Sequence, residues 1–353
     1  MKVSGCLIVP CATGMTLSLT LMTLLQKNPT AKYVVWPRID QKTCLKCIIT
    51  SGLTPIVIPN ILENDELRTD LDTMENVIKD KQKEILCVLS TTSCFAPRAP
   101  DKIIEISKLC KTYNIGHVIN NAYGVQCYNY SKLINDALNK GRVDAIVQST
   151  DKNYMVPVGG AIIASNDKEL LNNISQLYPG RASISPILDL FITLLSLGSL
   201  GYTNLLNTRQ ELMSYLHLKL NEFALKHKER LLDTRNNPIS IAMTLSNIPK
   251  EHVSYLGSML FSRFISGTRI GVPESKKTIC NILFNGYGTH FDNYPFPYLN
   301  VACAIGIQQE EIDLFVEKLD KVFVAFNKYI KDKDTKKEVA KEEKEENTKN
   351  ISL

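Results

Sequence analysis

The first half of the chain alternates short apolar runs with stretches whose apolar positions recur every three to four residues. The runs predict strands, and the stretches predict amphipathic helices near residues 40–51, 69–82, 101–113 and 131–140. Because the strands are hydrophobic on both faces, the pattern is typical of an α/β layer with a mainly parallel sheet. The strand candidates are KYVVW (32–36), TPIVIP (54–59), ILCVLS (85–90), GHVIN (116–120), DAIVQS (144–149) and GAIIAS (160–165).

The pattern changes after about residue 186, where long helical stretches predominate. Residues 202–232 predict a long helix and residues 309–329 a closing helix, with weaker strand signals at 239–245 and 278–284. This second part is typical of a smaller α+β unit.

These changes predict three regions. Residues 1–185 form a large domain, residues 186–330 form a small domain with long helices, and residues 331–353 form a tail. Lysine and acid are nearly balanced in the tail and apolar residues are rare, so we expect it to be solvated and disordered.

The run from Cys6 to Leu25 contains no charged residue, a property that signal peptides and membrane spans share. Pro10, Gly14 and four threonines interrupt it, however. We therefore expect a short strand, a turn and a buried helix, and no membrane association.

Composition excludes few classes of function. A net charge of +5 permits an anionic partner such as RNA without indicating one. The ten cysteines lie mostly inside apolar runs, which favours reduced thiols and a cytosolic protein. Cys44 and Cys47 have CxxC spacing, but no second pair or nearby histidine accompanies them, so we expect no metal site.

The stretch VPCATGMTLSLTLMTLL places Ala12-Thr13-Gly14 between an apolar strand and a helix. Backbone N–H groups at a helix start, together with a threonine hydroxyl, can cradle a phosphate, and glycine lets the backbone close on it. Taken alone, the motif is more often an ordinary strand-to-helix turn with a threonine cap.

Three further side chains stand near strand ends. Lys152 follows an apolar strand, where burial would lower the pKa of its amine and suit it to Schiff-base chemistry. Asn120 ends another strand, and Ser149 could add a hydroxyl to a phosphate site. A phosphate cradle, a partner for a ring nitrogen and a lysine form the set that a pyridoxal phosphate enzyme needs.

Six segments are also similar to motifs of one enzyme family: WPRIDQKTC (36–44), STTSCFAPRAPD (90–101), INNAYGVQ (119–126), QSTDKNYMVPVGGAIIAS (148–165), YPGRASISP (178–186) and NPISIAMTL (237–245). Together they closely resemble the O-phosphoseryl-tRNA(Sec) selenium transferases, from about residue 6 to about residue 325. The resemblance implies a fold-type-I pyridoxal phosphate enzyme and a second subunit that completes the site.

The resemblance also implies a reaction. Lys152 would hold pyridoxal 5′-phosphate, be displaced by the amine of phosphoseryl-tRNA(Sec) and then take the Cα proton. Phosphate would leave Cβ and selenophosphate would add selenium. Asn120 departs from the aspartate usual in fold type I, so we expect the cofactor to be a weaker electron sink.

Other residues correspond to binding positions of the family. The resemblance assigns Arg181 to the substrate phosphate and Arg269 to tRNA, whereas Asn139 replaces a tRNA-binding arginine that Lys140 could substitute. Four more side chains are expected to face the cofactor crevice without an assigned role: Trp36, Arg38, Thr91 and Arg98.

Family members carry a long N-terminal region ahead of the ATGM segment, and this chain begins almost directly at the first strand. We expect an incomplete gene model rather than a fragment or a shortened homologue. The family tetramer is then in doubt, while at least a dimer is expected.

Two alternatives stay open at this point. One is another fold-type-I activity, such as a cysteine desulfurase, a selenocysteine lyase or an amino acid decarboxylase. No cysteine here is marked as the mobile nucleophile that a desulfurase needs. The other is an inactive homologue that binds tRNA.

Overall fold

The computed structural model describes residues 1–351, including the side chains of residues 1–333. Strands and helices alternate through the first half, as the sequence predicts. The strands are β1 (Gly5–Val9), β2 (Tyr33–Pro37), β3 (Thr54–Ile58), β4 (Asn60–Glu63), β5 (Glu66–Thr69), β6 (Ile85–Thr91), β7 (Gly116–Asn120), β8 (Ala145–Ser149) and β9 (Ala161–Ser165). The helices are α1 (Thr13–Lys27), α2 (Lys42–Thr50), α3 (Leu71–Lys81), α4 (Ile103–Thr112), α5 (Tyr128–Lys140), α6 (Thr150–Tyr154) and α7 (Lys168–Leu177).

Seven of these strands form one sheet in the order β1-β9-β8-β7-β6-β2-β3. Strands β3, β2, β6, β7 and β8 pair in parallel, whereas β9 is antiparallel to both β8 and β1. All strands except β9 therefore point the same way, and their carboxyl ends meet at one edge. The predicted α/β class with a mainly parallel sheet is confirmed.

Helix α1 packs in the core beside this sheet, with Leu17 and Leu21 fully buried. Three of its threonines turn their hydroxyls back to backbone carbonyls, so that their polar atoms are satisfied within the core; they are Thr16, Thr20 and Thr23. The uncharged N-terminal run is thus a strand, a turn and a buried helix, as predicted.

The second part of the chain begins with the long helix α8 (Ser185–Lys226), which is kinked at Gly198 (φ 60°, ψ −178°). Beyond it, β10 (Ser240–Thr244), β14 (Tyr298–Ala302) and β11 (Thr268–Gly271) form an antiparallel sheet in that order. The second half of α8 packs on this sheet with α9 (Val253–Phe261) and α10 (Gln309–Ile351) around an apolar core.

One predicted strand is wrong. Residues 278–284 belong to a hairpin of β12 (Lys276–Ile279) and β13 (Ile282–Asn285). The turn residues Cys280 (φ 52°) and Asn281 (φ 64°) both have left-handed backbone, which a two-residue hairpin turn requires. The apolar residues on either side made the segment look continuous.

Helix α10 continues into the charged tail, 331–353, for which the sequence predicts disorder. The side chains from residue 334 onward and all of residues 352–353 lie outside the described part of the chain. The disorder and the domain limits at 185 and 330 stay predictions.

Candidate active site

A pocket of about 680 Å³ lies between the carboxyl-terminal edge of the large sheet and the small sheet. The segment after β2, the helix α6 and the segment after β14 all contribute to its walls. Its charged and polar lining residues include Asp40, Gln41, Lys42, Thr43, Tyr123, Gln126, Asp151, Lys152, Arg269 and Tyr287.

Lys152 reaches this pocket from the short helix α6, which follows β8 directly. Its ammonium forms an ion pair with Asp151 (Nζ to Oδ2, 2.9 Å) and donates a weak hydrogen bond to Ser149 Oγ (3.4 Å). The Ser149 hydroxyl in turn donates to Asp151. Ser149 therefore contacts the lysine amine, and its expected hydroxyl contact with a phosphate stays a prediction.

The expected burial of Lys152 is wrong for this chain. Its side chain is 46% exposed, because α6 turns it towards the pocket rather than into the sheet. The adjacent Asp151 is mostly buried, with 15% of its side chain exposed. The ammonium is therefore solvent-accessible and paired with a carboxylate rather than buried.

The Ala12-Thr13-Gly14 turn forms the start of α1. Ala12 occupies the N-cap position without a side-chain hydrogen bond, and the first turn contains no acidic residue. The Thr13 hydroxyl is buried and has no hydrogen-bond partner among the described residues. A threonine cap is therefore absent from this turn, and the free N–H groups and hydroxyl suit an anion.

The cradle touches the pocket through Thr43. A β-carbon built on Gly14 would lie 2.5 Å from Thr43 Cγ2, and Thr43 lines the same pocket as Lys152. The glycine thus permits the close approach of α1 to α2. The cradle therefore contacts a residue of the pocket wall, while Ala12, Thr13 and Gly14 themselves are not among the lining residues.

Asn120 is buried at the end of β7, beside this crevice. Its amide donates to Cys44 Sγ (3.1 Å), and its carbonyl oxygen accepts from the Ala122 N–H (3.2 Å). Burial raises the pKa of Cys44 to about 11, so the thiol stays protonated at neutral pH. Within the described residues, no group of three or more His, Cys, Asp or Glu side chains could hold a metal ion.

Arg269 also lines the pocket, from β11, with its guanidinium 5.1 Å from the Phe95 ring centroid. Arg181 does not line it; this arginine is exposed in the segment between α7 and α8. Lys140 is exposed at the last position of α5, at the end remote from the carboxyl edge of the sheet. The structure brings Arg269 to the site but neither Arg181 nor Lys140.

A cationic rim extends from Arg269 along one side of the pocket. Lys42 lines the pocket, and Lys277 on β12 stands 5.2 Å from the ring centroid of Tyr287, another lining residue. A hydrogen bond and repulsion from Lys277 lower the pKa of Lys42. None of these three cations forms a salt bridge with a carboxylate of the described side chains, so the rim is suited to an anionic ligand.

The four residues without an assigned role are structural. Arg98 is fully buried, where it pairs with Asp101 (2.7 Å) and donates to the Arg38 carbonyl (2.8 Å). The backbone N–H of Thr91 donates a hydrogen bond to the same aspartate, Asp101 (2.7 Å). Trp36 packs edge-on against a phenylalanine in the core.

Arg38 is also buried, and its ion pairs fix the segment that precedes the pocket residues of α2. It pairs with Asp40 (2.9 Å) and with Asp292. The Asp40 N–H donates to Nδ1 of His290 (2.7 Å), and burial lowers the pKa of His290 to about 4, which keeps the ring neutral. None of the four faces the pocket as predicted.

Most residues that line the pocket were not singled out from the sequence, and two of them contact Lys152. Asp151 is the neighbour of Lys152, and Gln126 ends the INNAYGVQ segment. Asp151 could have been found from its adjacency to the lysine. Gln126 carried no local signal, because its partners lie 26 and 179 positions away.

Comparison with known proteins identifies relatives over nearly the whole chain. The family model for O-phosphoseryl-tRNA(Sec) selenium transferase, SepSecS, matches residues 1–324. A protein of that name from Dictyostelium discoideum is 55% identical over 342 residues, covering 91% of this chain and 71% of that protein. The Caenorhabditis elegans protein of the same name is 41% identical, covering 92% and 68%.

Solved structures agree. An archaeal O-phosphoseryl-tRNA(Sec) selenium transferase superposes with a TM-score of 0.81 at 31% identity, covering 90% of this chain and 70% of that one. A sphingosine-1-phosphate lyase from Burkholderia pseudomallei superposes with a TM-score of 0.65 at 14% identity, covering 95% and 73%. At that identity the second likeness concerns the fold alone.

Proposed function

This chain belongs to the O-phosphoseryl-tRNA(Sec) selenium transferase family, and on that premise we propose that it converts O-phosphoseryl-tRNA(Sec) to selenocysteinyl-tRNA(Sec) in the pocket around Lys152. Pyridoxal 5′-phosphate is the cofactor, and selenophosphate is the proposed selenium donor. The fold-type-I class supports this assignment.

The observation that carries the proposal is that the uncapped start of α1 packs against Thr43, which lines the same pocket as Lys152. The orphan Thr13 hydroxyl, the free amides of α1 and the buried Asn120 amide fit the phosphate and ring of pyridoxal phosphate. When bound, this cofactor supplies an aldehyde for an amine and an electron sink for the Cα of an amino acid.

The residues of the chain have separate tasks. Ala12, Thr13 and Gly14 bind the cofactor phosphate, and Ser149 orients the Lys152 amine through its hydrogen bond. Lys152 would hold the cofactor through its amine, and the freed Nζ would accept the Cα proton of the substrate as phosphate leaves Cβ. Asp151 gives the ammonium a partner whenever Lys152 is free.

Phosphate groups of the tRNA fit the cationic rim. Arg269, Lys42 and Lys277 present three positive charges without a carboxylate partner among the described side chains. Counterion release on neutralising RNA phosphates would favour binding there. Lys140 is a second proposed tRNA contact on a different surface, and it is exposed.

A second copy of the chain supplies the missing substrate-phosphate arginine. Arg181 lies outside the pocket and precedes the first arm of α8, residues 185–197, whose large apolar side chains face solvent. Burying this arm against another copy would remove apolar surface from water. The exposed residues include Leu188 46%, Phe191 58%, Ile192 58%, Leu194 40% and Leu195 68%.

By length and composition α8 could also cross a membrane, with a mean hydropathy of 1.4 over 18 residues. One such helix is weak evidence, because core and interface helices have the same composition. The kink at Gly198 and the packing of the second arm in the small-domain core favour an interface between copies.

We place the enzyme in a reducing compartment such as the cytosol. All ten cysteines are free thiols, and seven are buried. Thiols that fill core space favour a compartment in which they stay reduced.

The test is covalent trapping of the cofactor, followed by turnover. The purified chain is mixed with pyridoxal phosphate and reduced with borohydride, and the modified lysine is located by mass spectrometry. We expect the label on Lys152, none with Lys152→Ala and normal labelling with Lys42→Ala, which removes another pocket lysine. In a separate, unreduced sample, phosphoseryl-tRNA(Sec) and selenophosphate should give selenocysteinyl-tRNA(Sec).

Two outcomes would reject the proposal. One is a label distributed over several lysines with none preferred. The other is turnover of free cysteine or selenocysteine but not of phosphoseryl-tRNA(Sec), which would indicate a different fold-type-I activity.

A further inference from the structure

The helix that carries Lys152 is too short to hold itself in place. It has five residues, and the carbonyl groups in its last turn have no partner further along the helix. Two side chains from other parts of the chain donate hydrogen bonds to these carbonyl groups. Gln126 donates its side-chain amide to the Lys152 carbonyl oxygen, and Tyr202 on α8 donates its hydroxyl to the Asn153 carbonyl oxygen (3.2 Å).

Gln126 is bound at both ends. While its Nε2 donates to Lys152, its Oε1 accepts from the backbone N–H of Ile305 (3.0 Å). The side chain is buried, with 7% of the residue exposed. One amide therefore links the backbone of the lysine to the segment after β14, across the pocket that all three residues line.

A second contact joins the same two segments. Helix α6 ends at Met155, whose backbone is left-handed (φ 55°), and the Met155 side chain lies against Gly306. A β-carbon on Gly306 would approach Met155 Cε to 2.8 Å. The end of α6 and residues 305–306 thus form one packed unit, with the Gln126 amide as its polar link.

We propose that Gln126 is a positioning residue for Lys152: its amide fixes the lysine backbone against the segment after β14 and so sets where the lysine amine stands. The role rests on the proposed function, since it matters for catalysis only if Lys152 is the reacting lysine. Nothing in it requires Gln126 to touch the substrate.

Glutamine suits this position because the link needs a donor at one end and an acceptor at the other. In Gln126→Glu the Ile305 contact can persist, but a carboxylate oxygen would face the Lys152 carbonyl oxygen, and two acceptors repel. In Gln126→Met the shape is nearly kept and both hydrogen bonds are lost. The pair of variants separates the lysine contact from the volume of the side chain.

Tyr202→Phe is the matched control. It removes the hydrogen bond to the adjacent carbonyl of the same helix, leaves the Lys152 carbonyl bonded, and can keep the ring stacking with Tyr154 (centroids 5.4 Å apart). A general loosening of α6 would appear in both variants, whereas loss of the Gln126 link would appear in the Gln126 variants only.

The first measurement needs no cofactor. The purified chain is treated with a limiting amount of an amine-acylating reagent, and acylation of Lys152 is compared with that of Lys42 by mass spectrometry. We expect Gln126→Glu and Gln126→Met to change the Lys152 to Lys42 ratio by about ten-fold, the effect of leaving one buried hydrogen bond unmade. Tyr202→Phe should change it by less than about two-fold.

The second measurement uses the enzyme with pyridoxal phosphate. Both Gln126 variants should lower kcat by about ten-fold or more, with a smaller change in KM for phosphoseryl-tRNA(Sec), because substrate binding does not use this link. The absorbance maximum of the bound cofactor should also shift. Circular dichroism and a melting curve show whether each variant is folded, and Gln126→Glu carries the test if Gln126→Met does not fold.

The proposal is overturned if folded Gln126 variants keep the wild-type acylation ratio and kcat. It is also overturned if Tyr202→Phe reproduces their effects, since the cause would then be the stability of α6 in general. Failure to trap cofactor on Lys152 in the unaltered chain rejects the proposed function instead. The acylation ratio still reports on the Gln126 link in that case.

Discussion

Gly14 and Thr43 are so close that a β-carbon on the glycine would lie 2.5 Å from the threonine methyl group. The contact joins the start of α1 to a residue that lines the pocket. We therefore expect Gly14→Ala to weaken pyridoxal phosphate binding by about ten-fold or more, because overpacking of this kind costs roughly 1–3 kcal/mol. Titration of the cofactor absorbance measures the change.

A second substitution tests the cause. Thr43→Ser removes the methyl group but keeps the hydroxyl, so Gly14→Ala combined with Thr43→Ser should recover most of the affinity. Gly201→Ala is a control, since a β-carbon there meets only ordinary contacts at 3.5 Å and beyond. If the double variant binds no better than Gly14→Ala, the contact is not the reason for the glycine.

Asn120→Asp should change the absorbance spectrum of the bound cofactor. A carboxylate cannot donate to Cys44 as the amide does, and it would hold a proton on the ring nitrogen more firmly. Asn139→Asp, the same chemical change at an exposed position on α5, should leave the spectrum unaltered. An unchanged spectrum in Asn120→Asp would count against contact between Asn120 and the ring.

Two buried histidines make stability depend on pH. Burial lowers the pKa of His117 and of His290 to about 4, whereas an unfolded histidine titrates near about 6.5. Below about pH 6.5 the unfolded chain binds protons that the folded chain does not, so the free energy of unfolding falls as the pH drops to about 4. The loss is on the order of 3 kcal/mol for each histidine.

Urea unfolding at several pH values measures this loss. His117 lies away from the pocket, between the Ser90 hydroxyl (2.7 Å) and the Arg142 carbonyl (3.1 Å). In His117→Gln the decline in stability with falling pH should be shallower by about half, because one of two titrating groups is gone. An identical slope would mean that His117 is charged in the folded chain.

Leu195→Glu should dissociate the proposed assembly of copies. Leu195 is 68% exposed on the first arm of α8, and a buried carboxylate at an interface is costly. Leu225→Glu is matched to it, since Leu225 is 65% exposed near the other end of the same helix. Light scattering should show smaller particles for Leu195→Glu alone; equal masses for both variants would refute the assigned interface.

Lys277→Gln should reduce the salt dependence of tRNA binding. Removing one phosphate contact lowers the slope of log affinity against log salt by about 0.7–0.9. Lys276→Gln is the control, because neighbouring residues on β12 point to opposite faces. Equal effects of the two substitutions would indicate a diffuse charge effect rather than a contact at the pocket rim.

The large sheet was predictable because its strands are buried on both faces and therefore form continuous apolar runs. The small sheet was not fully predictable, since β14 is a buried strand of mixed sequence, YLNVA, without a clear alternation. The hairpin of β12 and β13 was missed because its turn uses Cys280 and Asn281 without a glycine.

The positions of Thr13 and Lys152 directly after strands were predictable, whereas their roles in a site stay predictions. Exposure was harder to foresee, because it depends on how α6 turns after β8 and on the carboxylate of Asp151. Arg38 and Arg98 were expected at the crevice. Both instead form ion pairs with carboxylates and hydrogen bonds with backbone carbonyls behind it. Sequence position alone does not distinguish a side chain that faces a pocket from one that supports its wall.

The kink at Gly198 divides α8 into two arms that meet different surroundings. Beyond it, one face of the helix, with Leu212, Leu216, Leu220 and Phe223, is packed in an apolar core, where each side-chain volume is fixed by its neighbours. Most side chains before it are exposed and pack little against their own chain. Their identities can therefore change together with the surface that covers them. If the first arm is the proposed interface, substitutions before Gly198 alter assembly and substitutions after it alter folding, within a single helix.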